Sequence, residues 1–511
     1  MINILLQHIE SVISISSLRK SILLIDFTTS IRAIDCNYSF YSSKENNSGY
    51  NLGIHRIGAY LHKFNVPVKI IRYDDFKNKT EELFLLVAKA DIIGINSFSF
   101  SINVSYKLCV KIKNKFPDKI IIGGAEHYAL DFKWILENQS ITGCDICCTM
   151  QGELPMLALS LGIQKTKIGS IAYFNSGNVL KNPSYPALND NTDKELLKPV
   201  PVLNISKDLL HVAFPEFHST FKTMGLTQTG SGCIFLCDFC TNHFFMGNKF
   251  NETLNTAKLE INYFIKNKIN FFFIANTLLN SNKQHLNDFL EYIESENSKR
   301  KIYWSCFYSV RNDKDLQQFK RLANSGCLMI NVGVEDIIGE RENLKKGAKT
   351  IDAIEFTENA KKYLLVRTLL ILGLPNHYSY SRDELKEKFL SYMKKHPQAI
   401  YRINHFTPIF GTSDFKKYES LLEVNPRDNT DRLTDFDTLH PLLNPIKMYE
   451  SLNIVDNKRW LRNASDWSQL QKEIITEYIS SEEHQKFMLT LKENKILYKI
   501  AESYSKLVLN G

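Results

Sequence analysis

Ser231-Gly232-Cys233-Ile234-Phe235-Leu236-Cys237-Asp238-Phe239-Cys240 sets three cysteines at CxxxCxxC spacing, directly after Thr229-Gly230. A 4Fe-4S cluster ordinarily takes one thiolate on each iron, so three close cysteines leave one iron open to an exogenous ligand. The glycines of Thr229-Gly230-Ser231-Gly232 suit a loop that wraps a bulky cluster and brings backbone N–H groups to its sulfides. Two other readings of the same residues stand beside it: three ordinary buried cysteines, or a zinc site. Zinc usually wants a fourth protein ligand, and His243, three residues past Cys240, could supply it. The count of three close thiols favours the cluster.

The composition around this triplet is that of a globular chain. With 511 residues, 44% hydrophobic and 23% charged, it is long enough for two or three buried cores. The net charge of +8 is spread over 63 basic and 55 acidic residues, without a basic block interleaved with aromatics, so no nucleic-acid partner is expected. The opening Met1-Ile2-Asn3-Ile4-Leu5-Leu6-Gln7-His8-Ile9-Glu10 lacks a basic region followed by an apolar run and a cleavage site, and no later run approaches a membrane span. No membrane partner and a cytoplasmic location are expected. Ten cysteines are too sparse for a secreted disulfide framework, which fits a reducing compartment.

From about residue 20 to 165, short β-branched runs alternate with amphipathic segments, the pattern of a doubly wound parallel α/β sheet. Strands are expected at 21–26, 66–71, 91–96, 119–124 and 144–148, and the apolar spacing of 52–63 and 104–115 predicts helices over the sheet faces. Residues 166–224 are richer in Asn, Pro, Ser and Lys and read as a linker with a β-hairpin near 168–180. Buried parallel strands are expected again at 271–274, 302–305, 329–334, 368–372 and 399–403, as in a partial barrel. The expected division is a Rossmann-like domain over 1–165, the linker over 166–224, the barrel over 225–418, and a charged helical region over 419–511.

With aromatic Phe239 just before its last cysteine, Cys233-x3-Cys237-x2-Cys240 resembles the signature of the radical S-adenosylmethionine superfamily. Further pieces follow in that family's order. Gly333-Val334-Glu335 resembles a strand-end GxE, Ile371-Leu372-Gly373-Leu374-Pro375 a GLP turn before a helix, and Thr407-Pro408-Ile409-Phe410-Gly411-Thr412 a TPxPGT strand ending. The resemblance spans about residues 225–415 and implies a partial (β/α)6 barrel. It also implies a 4Fe-4S cluster on Cys233, Cys237 and Cys240, whose free iron chelates the amino and carboxylate groups of S-adenosylmethionine. Reduction would then cleave the sulfonium to methionine and a 5'-deoxyadenosyl radical. Phe239 is implied to lie against the adenine, with Asn276, Glu335, Gly373, Leu374 and Pro375 as further cosubstrate contacts, and a flavodoxin or ferredoxin as reducing partner. Glu335 has a second reading, a structural acid that caps a loop. The chain departs from the family pattern at Ala275-Asn276-Thr277, where an acid is common, and at Asn376-His377, which stand in place of Gly-Glu.

Ligands of open α/β sheets bind beyond the carboxyl ends of the strands, so the loops after Ile25, Asn96, Gly124 and Cys148 should line one crevice. Leu52-Gly53-Ile54, Gly123-Gly124-Ala125-Glu126-His127 and Gln151-Gly152-Glu153-Leu154 resemble, in order and approximate spacing, the cobalamin-binding domain of cobalamin-dependent radical S-adenosylmethionine enzymes. That resemblance implies cobalamin contacts from Ser97, Ser99, Gly123, Gly124, Glu126, His127, Gly152 and Glu153; His127 has a second reading of equal weight, a hydrogen bond to a loop. Asp26-Phe27-Thr28-Thr29-Ser30 stands where other cobalamin proteins carry a DxHxxG loop, which implies a cobalt without a protein histidine. No GxGxxG follows the first strand, which argues against a dinucleotide.

Together the resemblances imply methylation of an unactivated carbon in a small-molecule substrate, with cobalamin as methyl carrier. The alternatives are rearrangement or ring contraction without methyl transfer, and a non-catalytic zinc- or cobalamin-binding sensor. Methylthiolation normally involves a second three-cysteine cluster, which the spacing of Cys36, Cys109 and Cys144 does not resemble. Cys144, Cys147 and Cys148, in an apolar strand, read as small buried residues, as do Cys306 and Cys327. Lys345-Lys346 reads as a solvated face, and the carboxyl-terminal helices are expected to cover the substrate.

Overall fold

Runs such as Ile22-Leu23-Leu24-Ile25-Asp26 are apolar on both faces, and in the computed structural model all five of these residues are buried in a parallel strand covered by helices. The structure describes residues 2–15, 18–27, 51–98, 101–205, 209–210, 212, 214–245, 247, 249–310, 316–339, 344–346, 348–422, 443–462 and 464–510. Within them the first sheet comprises β1 (Ile22–Asp26), β2 (Val68–Arg72), β3 (Ile92–Asn96), β4 (Ile120–Gly124), β5 (Ile146–Cys148), β6 (Ile171–Asn175) and β7 (Asn178–Lys181), in the order β2-β1-β3-β4-β5-β6-β7. The first five strands are parallel, in the flavodoxin-like order whose reversal between β1 and β3 opens a ligand crevice at their carboxyl ends. The hairpin expected within the linker is instead the antiparallel edge of this sheet, because β6 pairs with β5.

The second sheet follows from β8 (Gly225–Thr227), which leads through the short ribbon β9 (Gly230–Ser231) and β10 (Asn251–Glu252) to β11 (Phe271–Ile274), β12 (Tyr303–Phe307), β13 (Cys327–Glu335), β14 (Leu365–Leu372) and β15 (Ile400–His405). Among the described residues it has six strands, all parallel, in the order β15-β14-β13-β12-β11-β8. This is the expected partial barrel, with β8 as a strand that three residues were too few to announce. Alternation along each strand gives it two distinct faces. Outward, Phe272 stacks on Phe264 at 6.0 Å and Trp304 meets Phe289 edge-on at 5.2 Å, binding the sheet to helices Leu254–Lys266 and Lys283–Lys299. Inward, Phe273 and Phe307 meet edge-on at 5.6 Å.

The segment before the barrel does more than connect. Its turn Pro215–Phe217 enters the concave face, where Phe214 packs on Phe273 at 4.7 Å and Phe217 on Phe271 at 4.6 Å. Glu216 there forms a fully buried ion pair with Arg367 of β14. The helical tail backs the outer face of β15, the barrel's edge strand. Gln471 donates to the Ile403 carbonyl at 2.7 Å, Tyr478 to the Gln398 carbonyl at 2.6 Å, and Tyr504 to the Tyr401 carbonyl. Helices Ala464–Ile479 and Lys495–Asn510 therefore supply an outer layer along that edge, and Trp467 reaches from the first of them to Gly373 at the carboxyl end of β14. Among the described residues no helix is long and apolar enough to cross a membrane.

One buried carboxylate ties the two sheets together. Glu260, fully buried, accepts from Arg56 of the first domain at 3.2 Å, from Val202 N of the connecting segment at 3.0 Å, and from Thr227 of β8. Arg56 also donates to the Gln228 side chain at 3.0 Å and to its carbonyl at 3.1 Å. Removing one partner from such a buried pair leaves an uncompensated charge and costs about 3–5 kcal/mol. Glu260→Ala is expected to lower urea stability on that scale; a loss of about 0.5 kcal/mol, the size of a surface substitution, would show that the domains are held by other contacts.

Candidate cofactor site at the facing strand ends

The cysteine loop leaves the barrel after β8 through the ribbon β9–β10, whose strands are two residues each. Gly232 sits at φ +96°, and a Cβ there would lie 2.0 Å from the Lys249 carbonyl oxygen, so the two legs of the loop meet where only glycine fits. Cys233 N donates to the Gly247 carbonyl at 3.1 Å, and Cys240 N to the Cys237 carbonyl at 3.1 Å. The three thiols are free, Cys233 and Cys237 being buried and Cys240 half-buried. Burial pushes the Cys237 thiol up to about 12 against the pull of the Lys346 ammonium, and burial raises Cys240 too.

A single zinc ion draws each thiolate to about 2.3 Å. Among the described residues no three His, Cys, Asp or Glu side chains gather closely enough to share one ion; the His243 side chain lies outside them.

Of the other residues expected at this site, Glu335 and Asn276 border the loop. Glu335 ends β13 beyond a register shift, at φ +69°, buried, and paired with Lys346. Lys346 also lies 5.6 Å from the centre of the Phe239 ring. This corrects the expectation of a solvated face for Lys346, although Lys345 is exposed and bonds Asp238 at 2.8 Å. Asn276 lies behind the loop, its Oδ1 accepting from Thr229 N at 2.8 Å and Gly230 N at 3.3 Å. Its Nδ2 donates to Thr229 Oγ1 at 2.8 Å. Gly373 turns at φ +87°, gives its N–H to His377 Nδ1 at 3.1 Å, and presents its Cα to Trp467 of the helical tail. Leu374 is buried and Pro375 opens the short helix Pro375–Ser379.

On the first domain, Ser97 is fully buried and hydrogen-bonded to Ser101 at 2.5 Å, while Ser99 lies outside the described residues. Gly123 serves packing: a Cβ there would lie 2.0 Å from the Tyr128 ring. Gly124 is open, with the nearest atoms to a Cβ at 3.8 Å and 4.0 Å, and is where a ligand could approach the backbone. Gly152 backs onto Ile57, and Glu153 is buried, its carboxyl pushed up by burial. Ala125, at φ +74°, turns the chain into helix Glu126–Leu130. Glu126 and His127 then face the barrel. Glu126 Oε2 accepts from Thr241 Oγ1 at 3.0 Å, the His127 ring meets Phe410 at 4.9 Å, and Leu130 lies beside Gly411. Sequence reasoning missed Thr241, His285 and Arg56, none of which carries a local signal, and read Phe410 only as part of the TPxPGT-like strand ending.

Gly232 and Gly247 allow a controlled test of the loop. Alanine at either must adopt positive φ, which costs about 1–3 kcal/mol, but at 247 a Cβ meets nothing within 4 Å. In the metal-free protein, Gly232→Ala is expected to speed alkylation of Cys233 and Cys237 well beyond Gly247→Ala. Equal rates in the two variants would mean that the close approach to Lys249 does not hold the loop.

No family model matches this chain. A curated relative, an uncharacterized methyltransferase from Pyrococcus horikoshii, is 26% identical over 336 residues, 63% of this chain and 68% of the relative. Among solved structures, the chain matches the radical S-adenosylmethionine methyltransferase TsrM from Kitasatospora setae with cobalamin and a 4Fe-4S cluster bound, at TM-score 0.59 and 12% identity, over 79% of this chain and 75% of TsrM. TsrM with its tryptophan substrate and an S-adenosylmethionine analogue matches at TM-score 0.60 and 12% identity, over 79% and 76%. The order of a doubly wound sheet, a partial barrel and a helical tail is thus a fold that this chain shares with TsrM.

Proposed function

We propose that this chain is a cobalamin-dependent radical S-adenosylmethionine methyltransferase that modifies an unactivated carbon of a small molecule. The observation that carries this reading is the 3.0 Å hydrogen bond between Thr241 and Glu126. It joins the residue after the third cysteine to the loop after β4, so the two places where the sequence expects cofactors abut across the domain boundary. A cluster on one side and a corrinoid on the other would then meet over one shared space, as a methyl carrier and a radical source must.

When bound, the cluster with S-adenosylmethionine would supply a 5'-deoxyadenosyl radical, and cobalamin a transferable methyl group. Cys233, Cys237 and Cys240 would hold the cluster, each thiol giving up its proton as it ligates. The Lys346 ammonium beside Cys237 favours that loss. Phe239, Glu335 and the Gly373-Leu374-Pro375 turn would orient the cosubstrate. Gly124 and the β1–β3 crevice would admit the corrin, and the aromatic inner face of the barrel would exclude water from a reactive radical. A flavodoxin- or ferredoxin-like protein would deliver the electron in the reducing cytoplasm.

Anaerobic reconstitution with iron and sulfide should give broad absorbance near roughly 400 nm, lost in the triple Cys233→Ala, Cys237→Ala, Cys240→Ala variant. Reduction should then cleave S-adenosylmethionine, and corrinoid should co-purify from cells supplied with it. Stoichiometric zinc, refusal of iron and no cleavage after reduction would sink the proposal.

A further inference from the structure

We infer that Glu252, His285, Thr229 and Asn276 form a positioning chain that fixes the root of the cysteine loop, an inference that rests on the cluster reading above. Thr229 Oγ1 and His285 Nε2 are 2.8 Å apart, and His285 Nδ1 lies 2.7 Å from Glu252 Oε1. Asn276 Nδ2 reaches Thr229 Oγ1 at 2.8 Å, and Asn276 Oδ1 takes the N–H groups of Thr229 and Gly230 at 2.8 and 3.3 Å. Thr229, Asn276 and His285 are all within 2% of full burial.

One tautomer satisfies every link of this chain: with the proton on Nδ1, His285 donates to Glu252, the Thr229 hydroxyl donates to His285 Nε2, and Asn276 donates to Thr229. An amide at 276 can both give and accept, whereas a carboxylate could only accept. The departure from the family pattern at 276 therefore has a local use: this side chain holds the loop.

The loop needs an external brace. Ribbon β9–β10 consists of the pairs Asn251–Ser231 and Glu252–Gly230, and a pair of two-residue strands is far below independent stability. The chain grips both strands, Glu252 from β10 and the Thr229-Gly230 backbone from the entry to β9, and ties them to helix Lys283–Lys299 and to the end of β11. Gly232 and Cys233 follow directly. Groups that orient metal ligands typically change metal affinity or activity 10–100-fold when removed, and hydrogen bonding and solvent access around a cluster set its electronic properties.

The test compares the full-length chain, reconstituted anaerobically, as wild type, Thr229→Val, Thr229→Ser, His285→Phe and Glu252→Gln. Valine keeps the shape of threonine but strips its hydroxyl; serine restores it. Thr229→Val and His285→Phe are expected to hold the cluster roughly 10–100-fold less tightly against an iron chelator, with an altered electron paramagnetic resonance spectrum of the reduced cluster. Thr229→Ser should return both to wild type. Glu252→Gln, at the partly exposed end of the chain, should alter the spectrum while leaving the melting temperature of the metal-free protein unchanged. Wild-type retention and spectrum in Thr229→Val would overturn the inference; so would a Thr229→Val that fails to fold alongside a Glu252→Gln with the wild-type spectrum. A wild type that takes up zinc and no cluster overturns the cofactor reading as well, and shows it before any variant is made.

Discussion

The buried carboxylate of Glu260 sets the geometry on which the site depends. It has three partners from three parts of the chain: Arg56 from the first domain, Val202 from the connecting segment and Thr227 from the first barrel strand. A buried ion pair is a poor source of stability against an apolar alternative of the same volume, but its breakage is expensive. What it adds is a fixed orientation. Arg56 belongs to the helix that begins beyond β1, and its other hydrogen bonds go to Gln228, one residue past β8. A contact between those two points brings the carboxyl ends of both sheets to one side.

From that orientation the rest of the interface follows. The loop after β4 carries Glu126 and His127 to the residue after the cysteines and to Phe410 beyond β15. Open α/β sheets and barrels alike bind ligands at their carboxyl ends, and these contacts bring those ends against each other. The opposite end of the barrel is filled. Phe214 and Phe217 plug it, and the Glu216–Arg367 pair adds a polar constraint that the plug can meet in only one register.

Much of this was legible because strong periodic patterns are local. Parallel strands buried on both faces read as short apolar runs, and β1 to β5 and β11 to β15 lie within a few residues of where those runs stand. The cysteine spacing and the GLP turn stand out for the same reason: each pattern lies within a few consecutive residues. The hairpin β6–β7 was found as a hairpin but not as part of the first sheet, since its pairing with β5 is a tertiary choice that a polar, Asn-rich setting conceals. Lys346 was read as solvated because a lysine pair resembles a surface; its burial comes from Glu335, eleven positions earlier, and from Phe239, on another element. Glu126 and His127 were expected in the loop after β4 and instead open the helix Glu126–Leu130; their partners Thr241 and Phe410 lie more than 100 residues away and carry no signal of the pairing.

The two departures from the family pattern share a physical logic. At 376–377 the expected Gly-Glu is Asn-His, and the structure closes those side chains into a knot with Asp336. His377 Nδ1 accepts from Gly373 N at 3.1 Å, its Nε2 stands 3.6 Å from Asp336 Oδ1, and Asn376 donates to Asp336 Oδ2 at 3.3 Å. Burial alone would push the Asp336 carboxyl up; His377 and the N–H groups of Gly339 and Ile338 outweigh it and hold the group below its usual range. At 276 the same exchange of an acid for a group that both donates and accepts binds the chain to its own loop. An unpaired carboxylate at either place would stand buried and charged, whereas an amide or imidazole can be satisfied within the protein. At both positions the side chains present are satisfied by the chain's own loops, and the buried Glu335 has its counter-charge in Lys346.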